Sequence, residues 1–122
     1  MSYRIAVLPG DFIGPEVIDA TLEVLEALAP RHGLAFEFER LPFGGNAIES
    51  HGEPLPQVTR DAAARSDAVL MGSAGGPVGD HPWNRLPREK RVESGILALR
   101  KHLQVFANLR PVRVFPGLER LS

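Results

Sequence analysis

Residues 3–8 are β-rich and apolar, alternate weakly, and stop at Pro9-Gly10-Asp11, which predicts a first strand closed by a turn. Pro15 then stands at a first helical position. Behind it, Val17, Thr21, Val24 and Leu28 share one stripe with Ile18, Leu22, Leu25 and Ala29, while Glu16, Asp19, Glu23 and Glu26 form the opposite face. That period predicts an amphipathic helix of about four turns, ended by Pro30 and Gly33. Residues 35–41 alternate again, with Phe36 and Phe38 set against Glu37, Glu39 and Arg40, and predict a strand with one wet face.

Residues 42–45 read as a loop, with a short helical piece near 47–50, a helix over 56–66 and a buried strand at 68–71. The order β-α-β-α-β with short connections predicts an α/β fold, a mostly parallel sheet with flanking helices. The stretch 73–92 is rich in Gly, Pro and charge and too long for a plain connection. A helix follows over 93–102, with Ile96, Leu97, Leu99 and Leu103 apolar. Residues 105–115 predict one more strand, interrupted by Pro111.

Composition narrows the chemistry. The 122 residues fit one domain, and 43% hydrophobic with 24% charged residues is a globular balance. The absence of cysteine excludes disulfide scaffolds, Fe–S clusters, Cys-containing zinc sites and thiol nucleophiles. No apolar run approaches the roughly 18 residues of a membrane span, so no membrane partner and a cytoplasmic location are expected. The net charge of −1 conceals a division: residues 1–61 carry 4 basic and 10 acidic side chains, residues 62–122 carry 10 and 5. Most of the basic residues are arginine, the type suited to two-pronged contact with carboxylate or phosphate.

Two glycine-bearing turns fall where ligands collect in open α/β sheets, at strand ends. They are Pro9-Gly10-Asp11-Phe12-Ile13-Gly14 and Gly72-Ser73-Ala74-Gly75-Gly76-Pro77. Neither has the dinucleotide or P-loop spacing, and glycine-rich βα turns are commonly only turns. Arg100 on a helix and Arg110 beside a strand could converge on one carboxylate, although a solvated Arg100 explains that residue as well. The basic cluster Arg85, Arg88, Lys90 and Arg91 lacks the aromatic platform of a nucleic-acid site and reads as a solvated loop. His32, His51, His81 and His102 have no metal-ligand spacing, and Ser73 lacks a hydrolase setting.

The run Val7-Leu8-Pro9-Gly10-Asp11-Phe12-Ile13-Gly14-Pro15-Glu16-Val17 closely resembles the opening of the β-hydroxyacid oxidative decarboxylases, the isocitrate/isopropylmalate dehydrogenase family. Phe43-Gly44-Gly45, Gly52-Glu53-Pro54-Leu55-Pro56, Gly72-Ser73-Ala74-Gly75-Gly76-Pro77, Leu99-Arg100-Lys101 and Phe106-Ala107-Asn108-Leu109-Arg110-Pro111 follow in the family's order. Phe12 departs from the family's usual glycine, and the stretch 77–93 is a few residues longer than is common.

The resemblance implies an NAD-dependent enzyme acting on a small dicarboxylate, with Mg²⁺ or Mn²⁺, as a homodimer. It implies that Arg100 and Arg110 clamp the malate carboxylates, with Glu93, Ser94, Ile96 and Leu97 also on the substrate. Ile13, Gly75, Gly76, Pro77 and Glu93 would face NAD. Members acting on isocitrate carry a polar residue four places before the helix arginine; Ile96 stands there here, followed by Leu97. An isopropyl group buried against them gains about 0.8 kcal/mol per carbon, whereas a carboxylate there is penalised. That points to the isopropyl-malate branch, with the D-malate/tartrate and homoisocitrate types as alternatives, and a non-catalytic anion- or nucleic-acid-binding module as another class. Family members are about three times as long, so the resemblance also implies an N-terminal portion: 1–104 in the first α/β domain, and 105–122 a strand region leading into the second. Every metal ligand and catalytic residue would lie beyond Ser122, leaving the isolated chain inactive.

Overall fold

The structure, a computed structural model, describes residues 1–76, 81–118 and 120. Three parallel strands form one sheet: β1 (Ser2–Gly10), β2 (Ala35–Arg40) and β3 (Ala68–Ser73), in the order β2-β1-β3. Ser2 pairs with Ala35 and Ile5 with Phe38 on one side of β1, and Ile5 with Ala68 and Leu8 with Met71 on the other. Four helices cover the sheet: α1 (Gly14–Leu28), α2 (Gly45–His51), α3 (Gln57–Arg65) and α4 (Val92–His102).

The central strand explains the layering. Ala6, Val7 and Leu8 are all fully buried, and successive side chains of a strand point to opposite faces. Val7 therefore packs with Ile18 and Leu22 of α1, joined by Ile5, Phe38 and Leu70. Ala6 and Leu8 point the other way, into a larger cluster with Leu41, Phe43, Leu55, Ala62, Ala63 and Leu99, drawn from α3, α4 and the loops on either side of α2. Thr59 is wholly buried in α3, and its hydroxyl donates to the Pro42 carbonyl at 2.6 Å, so no polar penalty is incurred.

Six of the sequence-predicted elements form within two or three residues of their expected bounds, and the helix over 93–102 begins one residue early. Only one of the two apolar stripes of α1 is covered. Ile18 and Leu22 are buried, while Val17, Val24 and Leu28 are each 43–57% exposed, and Val17 and Val24 line an open groove with Glu16, Ala20 and Thr21. Pro30 does not end the chain's helical course; the residues Ala29–His32 tighten into a 3₁₀ turn, and Gly33, at φ +65°, closes it. The stretch 73–92, expected to exceed a plain connection, contains two further 3₁₀ turns, Pro82–Arg85 and Arg88–Lys90.

One expected element is corrected. Residues 105–115 form no strand but an exposed, irregular segment, with Phe106, Leu109 and Val112 between 87 and 100% exposed. Pro111 has no N–H to give a ladder, and no described strand pairs with the segment. The apolar residues there thus meet no facing layer.

Because Phe43 is the largest side chain fully enclosed in the core, Phe43→Ala is expected to lower unfolding free energy by about 3–5 kcal/mol, measured by urea titration. Ending the chain after Gln104 is expected to leave the urea midpoint within experimental error, since none of the described residues it removes is buried.

Candidate substrate and cofactor site

The turn after β1 is organised by a carboxylate. Asp11 is 1% exposed, and its oxygens accept three backbone N–H groups: Gly45 at 2.8 Å, Asn46 at 2.9 Å and Gly75 at 3.0 Å. Two of these donors are orphan groups at the start of α2, and the third belongs to the glycine turn that follows β3. The Asp11 N–H itself donates to the Ser73 carbonyl at 2.7 Å, and the Asn46 side chain returns a bond to the Gly10 carbonyl at 2.9 Å. Gly44 comes close behind: a Cβ on it would lie 2.5 Å from an Asp11 oxygen, and its φ of +81° also favours glycine. Asp11 is thus a structural acid, fully occupied, and the sequence reading offered no role for it.

Around this junction lie the residues expected on the cofactor. Ile13 caps α1 and projects 53% exposed. Gly75, at φ +129°, has nothing within 4 Å of where a Cβ would stand, and Gly76 is exposed. Asp11 therefore brings Ile13 and Gly75 to the same end of the sheet. Pro77 lies outside the described residues.

The residues expected on the substrate are divided by the helix period of α4. Val92, Gly95 and Leu99 are buried, and Ile96 packs against the main core cluster. Glu93, Leu97 and Arg100, spaced by four and three residues, share the outward face, where Leu97 is 64% exposed. Arg88, Arg91, Glu93, Ser94 and Leu97 line a cleft of about 270 Å³ there. The Ser94 hydroxyl is turned back on its own helix start, 2.7 Å from the Glu89 carbonyl and 2.6 Å from that of Arg91. Ala74, next to Gly75, packs into the same core cluster as Leu99 and Ile96, so one core supports both the glycine turn and α4.

Arg100 faces a smaller hollow formed with Val105, Phe106, Ala107 and Asn108. Arg110 stands on the exposed segment beyond it, and no strand carries the two together. Neither guanidinium is in an ion pair among the described residues; those formed are Arg40–Asp19, Arg60–Glu53 and Arg65–Glu39. No group of three side chains able to hold a metal occurs among the described residues.

Two glycine turns are thus joined at the strand ends, and one core cluster links the second of them to α4, whose outward face bears Glu93, Leu97 and Arg100. A family model described as isocitrate/isopropylmalate dehydrogenase matches residues 4–122, and the chain belongs to that family. It is 54% identical over 119 residues to a 3-isopropylmalate dehydrogenase of Deinococcus radiodurans, covering 98% of this chain and 32% of the relative. A 3-isopropylmalate dehydrogenase of Vibrio parahaemolyticus is 52% identical over 122 residues, with coverages of 99% and 32%. Among solved structures, the apo β-decarboxylating dehydrogenase of Thermococcus kodakarensis aligns with a TM-score of 0.58 at 38% identity, over 84% of this chain and 27% of that one. The chain spans about a third of the length of the curated relatives it matches.

Replacing Asp11 by alanine leaves three backbone N–H groups without their acceptor. At about 1–3 kcal/mol for a buried group left unsatisfied, and less for the part-buried Asn46 and Gly75 groups, a loss of about 1–3 kcal/mol is expected in urea unfolding. Hydrogen exchange at the Gly45, Asn46 and Gly75 amides is expected to accelerate together, because they share one acceptor.

Proposed function

We propose that residues 1–122 are the N-terminal third of an NAD-dependent 3-isopropylmalate dehydrogenase, which oxidatively decarboxylates 3-isopropylmalate in leucine biosynthesis. The observation that carries this reading is the outward face of α4. Arg100 supplies a two-pronged cation for a carboxylate, and exposed Leu97 beside it supplies an apolar contact suited to an isopropyl group. An extra carboxylate placed against Leu97 would lose hydration to its hydrocarbon, which disfavours isocitrate unless Arg88 or Arg91 of the same cleft meets the charge. Selection by such a pocket rests mainly on rejecting the charged analogue.

Substrate orientation falls to Arg100, with Arg110 as the second expected partner once its segment is held. Ile96 would act from behind, by fixing the packing of α4, since it faces the core. Ser94 would keep the start of the helix closed and present its first turn. The junction at Asp11 fits a dinucleotide: Gly75 exposes its backbone to open space, and Ile13 offers an apolar contact beside it. NAD, when bound, accepts a hydride from the hydroxyl-bearing carbon of the substrate. Glu93 lies on the same helix face as Arg100 and would flank the nicotinamide ring of the cofactor. The described residues do not form a site for Mg²⁺ or Mn²⁺, so the metal reading assigns no role to them.

The 122-residue chain alone is expected to produce no NADH from 3-isopropylmalate. Joined to the C-terminal two thirds of the Deinococcus radiodurans relative, it is expected to do so, and Arg100→Lys should lower kcat/KM by about thirtyfold, or about 2 kcal/mol, through loss of bidentate geometry. A hybrid that turns over isocitrate or D-malate in preference to 3-isopropylmalate would refute the substrate assignment. Unchanged kcat/KM in Arg100→Lys would remove Arg100 from the site.

A further inference from the structure

Phe12 occupies a backbone conformation that disfavours it. Its φ is +50°, in the left-handed region where any side chain but glycine costs about 1–2 kcal/mol. It is also 60% exposed, so burial does not offset that cost. What the ring does contact is specific. It meets the Trp83 indole edge-on, with centroids 5.8 Å apart and planes at 63°, and the His81 imidazole at 6.2 Å and 74°. His81 and Trp83 meet each other at 4.5 Å and 70°, so the three rings form a closed set of edge-to-face contacts.

Trp83 is in turn fixed on its far side. Its indole N–H donates to Glu49 of α2 at 3.2 Å, and its six-membered ring lies where a Cβ on Gly45 would stand, 2.0 Å away. A Cβ on Gly76 would lie 3.3 Å from both His81 and Trp83. The indole therefore sits between the start of α2 and the second glycine turn, and Phe12 closes it from the first. Asp11 ties the same three segments together by hydrogen bonds from below.

We infer that Phe12 is a positioning residue: through Trp83 and His81 it holds the Gly75-Gly76 turn in the conformation that receives the dinucleotide. The inference rests on the cofactor reading above. The strain at Phe12 separates a positioning role from a merely structural one, because glycine at this position relieves the strain while removing the ring. Stability and ligand affinity should then move in opposite directions.

The test uses the 122-residue chain with Phe12→Gly, Phe12→Ala and the ring-retaining Phe12→Tyr. Trp83 is the only tryptophan, so its fluorescence reports the cluster without further labelling. Acrylamide quenching of Trp83 is expected to rise two- to threefold in Phe12→Gly and Phe12→Ala, and to match the parent in Phe12→Tyr. Binding of NAD⁺, followed by the same fluorescence, is expected to weaken about tenfold in Phe12→Gly while its urea midpoint equals or exceeds that of the parent. Parent-like quenching in Phe12→Gly and Phe12→Ala would overturn the assignment, as would unchanged NAD⁺ affinity in Phe12→Gly. A parent chain that binds no NAD⁺ would overturn both the cofactor reading and the link from Phe12 to it, whereas binding that is indifferent to Phe12 overturns the link alone.

Discussion

The site depends on one buried carboxylate. Asp11 accepts N–H groups from the start of α2 and from the turn after β3, while its own backbone is bonded to Ser73. The parallel ladder sets the β1 and β3 strand ends side by side, but it does not dictate how the chain leaves them. A buried acceptor does, because one side chain satisfies the buried Gly45 donor and the part-buried donors of Asn46 and Gly75 together. Charge-assisted bonds also resist the fraying expected where strands give way to loops. Ile13 and Gly75 lie at one place because both flank segments that Asp11 holds.

Periodicity made much of this legible. The helical spacing of Ile18 and Leu22 and the alternation of Phe36 and Phe38 each report an inward face, fully buried in α1 and half-buried in β2. The run at 68–71, expected as a buried strand, is instead half-buried at Val69 and Leu70 and exposed at Ala68 and Met71, because β3 is an edge strand. The same logic ran too far at Val17, Val24 and Leu28, because periodicity shows that a stripe is apolar and not whether anything covers it. It also failed at 105–115, where β-prone residues have no strand beside them; strand propensity is realised only through a partner. Asp11 was invisible for a different reason. Its donors are backbone groups 34 to 64 residues away, and backbone amides carry no residue-type signal. Gly44-Gly45 and Gly75-Gly76 hinted at close approach without saying to what.

Helix geometry sharpened what spacing left open at α4. Ile96 and Leu97 are adjacent in sequence and so project about 100° apart, and the structure gives one to the core and one to the surface. Leu97 shares its face with Glu93 and Arg100 at whole-turn intervals. A helix whose inner residues are committed to packing can hold an outer face of fixed geometry without help from that face. Arg100 therefore stands on a rigid support, whereas Arg110, on an exposed segment, does not.

The uneven charge of the chain acquires a structural meaning from the ion pairs. Asp19 and Glu53 of the acidic half are matched by Arg40 and Arg60 of that same half and Glu39 by Arg65, each pair half-exposed and so worth at most about 1 kcal/mol. Arg100 and Arg110 have no such counter-charge among the described residues. A guanidinium on an outward helix face with no acid opposite retains its full capacity for an external anion, and an internal partner would have to be displaced before a carboxylate could bind. The basic excess of residues 62–122 is thus more informative in what it leaves unpaired than in its size. Around Arg100 it leaves a cation beside an apolar residue, the combination that a carboxylate carrying a hydrocarbon branch requires.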